Sequence, residues 1–390
     1  MTNRYSSSAS ERLWRAKLSR RDFLRCLAAG GAGVAGSQLL AGCGTGPAAT
    51  TGPAVTPGEE LTGPLNVQAW FGYDNAAVVA LFEERYGVEL NVKIALDNAS
   101  QVDQLRSGTG QFDVSNPDNQ YVQLLAQSGL IQPLNRDDYA HLDEMFGPFK
   151  KFEPHHWEGQ LYGVPIRWGI NGIVHWPDKL SVADAEDGWV LWEERFRESI
   201  VMMDWADLYQ QLVGLYMGNK EPWKAVGEEL AAVTDKLIEM KPNVRALVQD
   251  IGTAIQDMAN RDAAIAWGCS SNDTAVGLRM EGHDVVLTIP KQGGTIWTEA
   301  LVISKDTPHY ATAVAYLDFM TSPEVQGMLA WSDDMKIAVC NARVVEYITA
   351  EQFKMLNLDK TEEWVSNSVL SQAPVDLDAS LDEWERFKAA

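Results

Sequence analysis

Between residues 65 and 127, apolar positions recur at the two spacings that distinguish strands from helices. Leu65–Trp70 alternates between apolar and polar residues and therefore predicts a strand. The next segment has apolar residues every three or four positions and closes at Gly87, which predicts a helix. Further strands are predicted over Glu89–Ala95 and Phe112–Ser115, and further helices over Ser100–Arg106 and Asn119–Gln127. Because strands and helices alternate, we expect a mostly parallel sheet with helices on its faces.

A second alternating series begins at Ser199, after an extended segment at Pro165–Val174 that predicts a crossing between two lobes. Residues 226–240 carry the firmest helical pattern, and Asp204 is placed to cap the helix before it. Strands are predicted at Ser199–Met203, Val244–Val248, Ala263–Trp267 and Val285–Ile289, and helices at Pro308–Met320 and from Ser322-Pro323-Glu324 onward. The predicted fold class is therefore two α/β lobes joined by more than one crossing. Sheets of this kind bind ligands at the carboxyl ends of their strands.

The stretch from Val285 to Asp306 holds the most informative chemistry of the chain. Its two apolar runs are separated by Pro290, by a glycine pair and by Trp297-Thr298-Glu299. In an extended chain, Trp297 and Glu299 point to the same side. An aromatic face beside a carboxylate suits a ligand with an apolar stem and a cationic end. The alternative is a core tryptophan beside a surface glutamate, and the spacing alone leaves both open.

The first residues have the composition of an export signal. Ser19-Arg20-Arg21-Asp22-Phe23-Leu24-Arg25 is a twin-arginine motif, and a short apolar segment follows it. Leu40-Ala41-Gly42-Cys43 resembles the lipobox of bacterial lipoproteins. We therefore expect residues 1–42 to be a signal peptide and Cys43 to carry a lipid that anchors the exported protein to the cell membrane. Residues 43–64 are predicted to be a flexible tether.

Charge and cysteine content narrow the possible partners. The net charge is −22 although residues 1–42 are basic, so the remainder is strongly acidic. That acidity argues against nucleic acid and against broad contact with anionic lipid surfaces. Cys269 and Cys340 remain once Cys26 leaves with the signal and Cys43 is acylated, and a disulfide between them is one possibility. Adjacent His155 and His156 point to different faces of a regular element and do not predict a metal site.

Several segments resemble those of spermidine/putrescine-binding proteins, the receptors of polyamine ABC importers. They are Leu65–Tyr73, Gly110-Gln111-Phe112-Asp113-Val114 with Pro117, Ser128–Leu134, Tyr162–Pro165 with Trp168-Gly169, Lys241–Val244 and Pro290–Trp297. The resemblance implies a two-lobed periplasmic-binding-protein fold (type II) that closes on its ligand in a cleft between the lobes. It also implies an ABC permease as partner, no cofactor, no metal and no catalytic activity. We expect a monomer with lobe 1 at 65–167 plus 297–345 and lobe 2 at 168–296 plus 346–390.

Matching motif to motif, the resemblance implies a set of ligand-binding residues. Trp70 and Tyr73 would stand in the aromatic box of the first lobe, Trp267 would close the box from the second lobe, and Trp297 would come from the crossing. Glu299 stands where the family has its central aspartate and would hold an ammonium group.

Other positions depart from the family pattern. Leu208 stands where a ligand-binding glutamate is expected, so Asp207 or Asp118 would have to replace its charge. Asp118 and Gln120 occupy loop positions that line the family's ligand site. The alternatives to ligand binding are structural. Asp207 could be a first-turn acid that interacts favourably with the helix dipole, and Asp118 could be a loop or cap residue. Arg167 is either one half of a structural ion pair or a contact for a ligand that carries a carboxylate as well as an amine.

The competing class is an exported enzyme. The chain lacks a G-x-S-x-G nucleophile motif, and no spacing singles out one pair of carboxylates as a glycosidase pair. A third possibility is a sensor lipoprotein that keeps the fold without transport. The residues favour a receptor that delivers a small cationic amine to its permease.

Overall fold

The computed structural model describes residues 58–108 and 112–390. The predicted export signal, the lipid attachment at Cys43 and residues 43–57 of the predicted tether lie outside the described residues. Within the described ranges, no helix has the combination of length and hydropathy that a membrane-spanning segment needs.

The strands largely follow the predicted pattern, with ends shifted by one or two residues. They are β1 (Leu65–Ala69), β2 (Leu90–Ile94), β3 (Val114–Ser115), β4 (His156–Trp157), β5 (Gln160–Leu161), β6 (Val164–Asn171), β7 (Ile173–His175), β8 (Ile200–Met203), β9 (Val244–Val248), β10 (Ile265–Trp267), β11 (Val286–Thr288), β12 (Thr295–Ile303) and β13 (Val369–Leu370).

Helices alternate with these strands as expected. They are α1 (Ala76–Tyr86), α2 (Asn98–Ser107), α3 (Asn119–Gln127), α4 (Gly147–Lys150), α5 (Val182–Ala185), α6 (Ala206–Tyr216), α7 (Glu228–Met240), α8 (Ile251–Ala259), α9 (Ser271–Met280), α10 (Tyr310–Thr321), α11 (Pro323–Ala330), α12 (Ala350–Met355), α13 (Thr361–Ser366) and α14 (Leu377–Ala389). Short 3-10 helices lie at Arg136–Asp138, Ala140–Glu144, Glu153–His155, Gly188–Trp192, Glu194–Phe196, Pro222–Lys224, Lys241–Asn243, Ala342–Glu346 and Leu358–Lys360.

Helix α1 shows why the sequence pattern predicted a helix here. Asn75 accepts hydrogen bonds from the first free amides of the helix, and Gly87 closes it with a φ of 69°. Val78 and Phe82 are buried on its inner face, as the apolar spacing predicts.

The first sheet has the order β13-β12-β3-β1-β2, and β6 pairs with β12 beside this path. Strand β1 lies parallel to β2 and β3, which is the predicted parallel arrangement. Strand β12 runs antiparallel to both β3 and β6, so the sheet is mixed. Its antiparallel direction follows from its origin, because the chain enters it from the second sheet rather than through a helix of the first.

The second sheet has the order β11-β7-β10-β8-β9. Strands β8, β9 and β10 are parallel, and β7 is antiparallel to β10 and β11. Helix α14 packs against α7 and α6 beside this sheet. Each sheet therefore combines parallel strands with antiparallel strands that belong to the crossings.

Two crossings run side by side between the sheets. One leads from β6 through Gly172 to β7, and the other leads from β11 through Gly293 and Gly294 to β12. A methyl group on Gly172 would lie 2.8 Å from the carbonyl oxygen of Thr288. One on Gly294 would meet the carbonyl oxygen of Asn171, so glycine allows the two backbones their close approach.

Two local predictions are wrong. Asp204 does not cap α6; the N-cap is Trp205, without a side-chain bond. Instead Asp204 accepts hydrogen bonds from Trp384 Nε1 at 2.6 Å and Gln249 Nε2 at 3.2 Å, because α14 packs over this end of β8. Val226 is exposed and precedes α7, whose buried face consists of Leu230, Val233, Thr234, Leu237 and Met240.

Cys269 and Cys340 are free thiols, and both are completely buried. Burial raises the pKa of the Cys269 thiol to about 12 and raises that of Cys340 as well. The disulfide considered from the sequence is therefore absent between these two described cysteines.

Candidate functional site

Strand β12 carries two of the predicted site residues, and it pairs over most of its length with β6. Trp297 lies opposite Gly169 and Glu299 lies opposite Arg167. Two positions apart on an extended strand, Trp297 and Glu299 share one face. A methyl group on Gly169 would lie 2.7 Å from Trp297 Nε1 and closer still to two ring carbons. Glycine at this position leaves room for the indole to lie against β6.

Tyr73 and Glu299 are joined directly. The Tyr73 hydroxyl donates a hydrogen bond to Glu299 Oε2 at 2.8 Å, and Tyr73 is fully buried. Tyr73 follows β1 through a turn in which Gly72 has a φ of 88°. Burial, together with the Glu299 charge, raises the pKa of Tyr73. The hydroxyl is therefore a hydrogen-bond donor that holds one oxygen of the carboxylate.

Arg167 completes this cluster with a positive charge. Its Nη1 donates to the Phe71 carbonyl at 2.8 Å and lies 3.9 Å from Glu299 Oε2. The guanidinium carbon is 4.1 Å from the centre of the Tyr73 ring, a cation–π contact. Arg167 is only 1% exposed, and its Nε–H has no hydrogen-bond partner in the described part of the chain. Of the two roles considered for Arg167, the structure shows the ion pair, and the pair is buried.

Glu299 is thus a buried carboxyl with two protein partners. It keeps 6% of its surface exposed. Burial raises its pKa, and the charge of Arg167 and the hydrogen bond from Tyr73 oppose that rise. Glu299 is consequently easier to protonate than a surface glutamate, although Arg167 and Tyr73 both favour its ionised form.

Asp118 approaches the cluster from the loop before α3. Its backbone forms an isolated bridge with Glu299 of β12. Asn98 holds Asp118 on both sides: Asn98 Nδ2 donates to Asp118 Oδ2 at 2.7 Å, and the Asp118 amide donates to Asn98 Oδ1 at 3.0 Å. Burial is the main cause that raises the pKa of Asp118 to about 7, and the Glu299 charge adds to it. The structure therefore places Asp118 next to Glu299 in the backbone pairing.

Trp70, Trp297 and Gln120, three further residues that the resemblance implied, each have a polar side-chain atom without a partner. All three are partly exposed. Trp70 Nε1, Trp297 Nε1 and Gln120 Oε1 are buried atoms for which the described residues supply no hydrogen-bond partner. The Trp70 indole is near enough to Asp118 to lower the pKa of that carboxyl. These are half-buried aromatic faces and polar atoms of the kind that line ligand sites.

Trp267 has a different environment. It is completely buried at the end of β10, and rings of Trp192, Tyr209 and Tyr216 lie 5.1–6.1 Å from it. Its Nε1 donates to the Tyr216 hydroxyl at 3.4 Å. In the described residues these contacts join Trp267 to the core beside the second sheet, and none of them reaches Trp70, Tyr73 or Trp297.

Asp207 lies in the first turn of α6 and is partly exposed. Burial raises its pKa, and the backbone amide of Leu208 opposes the rise. Tyr121 lies on α3. Burial raises its pKa to about 12, and the negative charges of Asp118 and Asp207 add to this rise. The charges of Asp118 and Asp207 therefore both act on Tyr121.

Sequence reasoning missed Tyr121 and Asp273. Asp273 is in the first turn of α9, just after the end of β10, and the charges of Glu299 and Arg167 act on it. The rule that ligands bind at strand carboxyl ends was a usable signal for Asp273. For Tyr121 there was none, because a helix tyrosine is usually a packing residue.

Metal binding finds no support in the described ranges. Across residues 58–108 and 112–390, no group of three or more His, Cys, Asp or Glu side chains is arranged to hold a metal ion. His155 is buried, and its burial lowers its pKa to about 3, so it is neutral near neutral pH.

Comparison with known proteins places these features in a family. Residues 77–356 match the bacterial extracellular solute-binding protein family. The putrescine-binding periplasmic protein PotF of Escherichia coli (strain K12) is 22% identical over 301 residues, covering 74% of this chain and 80% of that protein.

Solved structures share the fold. The spermidine/putrescine ABC transporter substrate-binding protein PotD of Streptococcus pneumoniae superposes with a TM-score of 0.70 at 20% identity, over 83% of this chain and 98% of that one. The Atu4243-GABA receptor superposes with a TM-score of 0.65 at 16% identity, over 84% and 97%. These likenesses confirm the predicted α/β, two-lobed (type II) periplasmic-binding-protein fold and the resemblance to spermidine/putrescine-binding proteins. The chain belongs to the bacterial extracellular solute-binding protein family.

Proposed function

We propose that this protein is the extracytoplasmic receptor of an ABC importer and that it binds a small amine of the putrescine and spermidine class. One observation carries the proposal: the buried Glu299 and the partly exposed Asp118 lie opposite each other in a backbone bridge, beside the half-buried indoles of Trp70 and Trp297. Carboxylates pair with ammonium groups, and aromatic faces attract cations and methylene chains. The similarity to the putrescine-binding protein PotF and the spermidine/putrescine-binding protein PotD supports the same ligand class.

Each residue has a proposed role. Trp70 and Trp297 stack on the ligand, and Gln120 accepts a hydrogen bond from it. Tyr73 acts mainly through Glu299, because its hydroxyl is already bonded to that carboxylate. Trp267 forms the aromatic wall on the side of the second sheet.

The acid missing at Leu208 also has a proposed replacement. Asp118 pairs with Glu299 through its backbone, whereas Asp207 lies in the first turn of α6, the helix that follows β8 of the second sheet. We therefore assign the replacement to Asp118 and leave Asp207 as an outer contact that attracts cations.

Closure of the two lobes would couple binding to transport. The proposed lobes, 65–167 plus 297–345 and 168–296 plus 346–390, meet at the paired crossings β6–β7 and β11–β12. Ligand would bind to the open form and favour the closed form, and the closed monomer would present the surface that the permease recognises.

Export and anchoring are part of the proposal. The twin-arginine motif at residues 20–21 and the lipobox at residues 40–43 support export by the twin-arginine route and a lipid at Cys43. Metabolic labelling with a fatty-acid analogue tests the anchor: Cys43→Ala should lose the label and leave the membrane fraction, and an unchanged label would refute lipidation at Cys43.

A zwitterionic amine is the second candidate ligand. The buried Arg167 Nε–H without a partner favours it, since that donor could bind a ligand carboxylate. The fold shared with the Atu4243-GABA receptor is compatible with such a ligand.

Calorimetric titration of the purified full chain with putrescine, spermidine, agmatine and 4-aminobutyrate tests the proposal. We expect micromolar or tighter binding of at least one polyamine. Glu299→Gln should weaken that binding by about ten-fold or more, because a charge-assisted contact in a buried site is lost. Glu239→Gln, at an exposed position of α7, is the matched control and should leave affinity unchanged.

Each other outcome has a definite meaning. Unchanged affinity in Glu299→Gln would remove Glu299 from the site. Binding of 4-aminobutyrate alone would transfer the proposal to a zwitterion held by Arg167. No binding across the panel would overturn the amine proposal.

A further inference from the structure

Arg167 lies within β6, and its backbone is held on both sides. It pairs with Glu299 of β12 on one side and forms an isolated antiparallel bridge with Val339 on the other. The amide of the next residue, Trp168, donates to the Ala338 carbonyl at 3.1 Å. Because the strand is paired along both edges, the direction in which the Arg167 side chain leaves it is fixed.

The guanidinium of Arg167 lies among three groups that each attract cations. The Phe71 carbonyl accepts a hydrogen bond from Nη1 at 2.8 Å, and Glu299 Oε2 lies 3.9 Å from the same nitrogen. The centre of the Tyr73 ring lies 4.1 Å from the guanidinium carbon. A carbonyl oxygen, a carboxylate and an aromatic face together form a cation subsite, and here the chain itself provides the cation.

Gly72 makes room for this arrangement. It has a φ of 88°, and a methyl group on it would lie 3.0 Å from Arg167 Nη2. The turn after β1 therefore presents the Phe71 carbonyl and the Tyr73 ring to the guanidinium from either side of a residue that has no side chain. The backbone around the cation subsite thus fits the arginine closely.

The cation subsite is closed to other cations while Arg167 fills it. Arg167 is completely buried and lies over the face of the Tyr73 ring. Tyr73 and Arg167 both approach Glu299 Oε2, and no hydrogen bond within residues 58–108 and 112–390 reaches the other oxygen, Oε1. An ammonium group of a ligand can therefore meet Oε1, but it cannot pass beyond it onto Tyr73.

The guanidinium also limits how much positive charge a ligand can place beside Glu299. Arg167 already balances the charge of this carboxylate, and a further cation there would be repelled by the guanidinium. Burying an ammonium group without its own partner is costly. A triamine has one more such group to place than a diamine has, so Arg167 disfavours the triamine.

We propose that Arg167 is a specificity-determining residue: its guanidinium fills the cation subsite and restricts the protein to short amines, excluding triamines whose additional ammonium group would need that subsite. The restriction to short amines rests on the proposed amine-binding function, whereas the filling of the subsite does not depend on any ligand.

Chemical rescue tests the filled subsite. Arg167→Ala should leave the subsite empty, so that a free guanidinium ion can enter it. We expect guanidinium chloride at about 10 mM to raise the melting temperature of this variant by about 2 °C and to saturate. Urea, the neutral molecule of the same planar shape, and sodium chloride should have no such effect. Wild type and Arg136→Ala, which loses an exposed ion pair, are the controls and should not respond.

Two further variants sharpen this measurement. Arg167→Ala combined with Glu299→Gln removes the carboxylate of the subsite and should abolish the response to guanidinium. Arg167→Gln provides the same comparison as the alanine variant should the latter fail to fold. A folded Arg167 variant that does not respond to guanidinium, or that responds equally to urea, would overturn the inference.

Calorimetry on the full chain with putrescine and spermidine tests the specificity. Wild type should bind putrescine about ten-fold or more tightly than spermidine, and Arg167→Ala should bring the spermidine affinity up to that of putrescine or above it. Equal wild-type affinities would overturn the specificity. So would an unchanged affinity ratio in Arg167→Ala, which is the result expected of a purely structural arginine. A wild-type protein that binds neither amine would overturn the proposed function and the restriction to short amines together, while the guanidinium response decides the filled subsite without any ligand.

Discussion

At the scale of single residues, the most closely linked side chains of the candidate site are those of Glu299, Tyr73 and Arg167. A buried ion pair adds little stability when intact, but removing one partner is expensive because the other charge stays buried alone. Tyr73 and Arg167 therefore determine whether Glu299 can remain ionised inside the protein. This dependence can be measured.

Arg167→Met should lower the free energy of unfolding by about 3–5 kcal/mol near pH 7.5. Near pH 5.5 the loss should shrink, because Glu299 already has a raised pKa and can take up a proton once the guanidinium is gone. Urea unfolding at both pH values measures the difference.

Arg136→Met is the control for this experiment. Arg136 forms an exposed ion pair with Asp143 at 2.7 Å, and its removal should cost less than about 1 kcal/mol at either pH. An equal loss for Arg167→Met at both pH values would contradict the view that Glu299 is the residue left unpaired.

The sequence predicted part of this cluster and missed the rest. Alternation along β12 was sufficient to put Trp297 and Glu299 on one face, because the period of a strand is a local property. That the Tyr73 hydroxyl binds Glu299 depends on a contact between residues 226 positions apart. Arg167 was ambiguous for the same reason: only the pairing of β6 with β12 reveals which acid it faces.

At the scale of elements, β12 and β6 form the structural centre of the described chain. Their pairing extends from Thr295 opposite Asn171 to Leu301 opposite Val164. The indole of Trp297 depends on this pairing, because it lies where a side chain on Gly169 would otherwise project.

Gly169→Ala should displace the Trp297 ring, lower stability by about 1–3 kcal/mol and reduce amine affinity. Calorimetry and the intrinsic tryptophan fluorescence would report the two effects. Gly163→Ala is the matched control, since its new methyl group would meet Val302 Cγ1 at 3.2 Å and Ala300 Cβ at 3.3 Å, contacts that a small shift can relieve. Equal binding by the two variants would show that Trp297 does not contact the ligand.

Elements with strong local signals were predicted well, and those that depend on distant partners were not. Helix α1 has typical capping residues at both ends, Asn75 and Gly87, so its bounds follow from local sequence. Strand β13 has two residues and exists because it pairs with the start of β12, which no local pattern foretells. Asp204 looked like a cap, but its bond to Trp384 requires a helix 180 residues later.

At the scale of the whole molecule, proton and ligand binding should be linked. Asp118 and Asp273 have folded-state pKa values of about 7, raised from an ordinary value of 3.8. A raised carboxyl pKa means that the folded, ligand-free protein holds protons that the unfolded chain releases. Their contribution to stability is therefore full below about pH 4 and is lost as the pH rises towards about 7.

A cationic ligand reverses this preference at Asp118, because it binds the ionised form of that carboxyl. Amine affinity should rise between about pH 6 and pH 8, and binding near pH 6 should release protons. Titrations in two buffers with different ionisation enthalpies count those protons. Asp118→Asn should show weaker binding and less proton release. A pH-independent affinity in wild type would mean that Asp118 does not contact the ligand.

The two buried thiols add a consequence for how motion in this protein can be followed. Cys269 follows β10 of the second sheet, and Cys340 donates its amide to the Ile166 carbonyl of β6 in the first. A thiol reagent can reach either sulfur only while the surrounding structure is transiently open, so the rate of alkylation reports how often each region opens. The protein thus carries two natural reporters, one beside each sheet. Comparing their alkylation rates with and without ligand would tell whether the ligand reduces opening near both sheets or near only one.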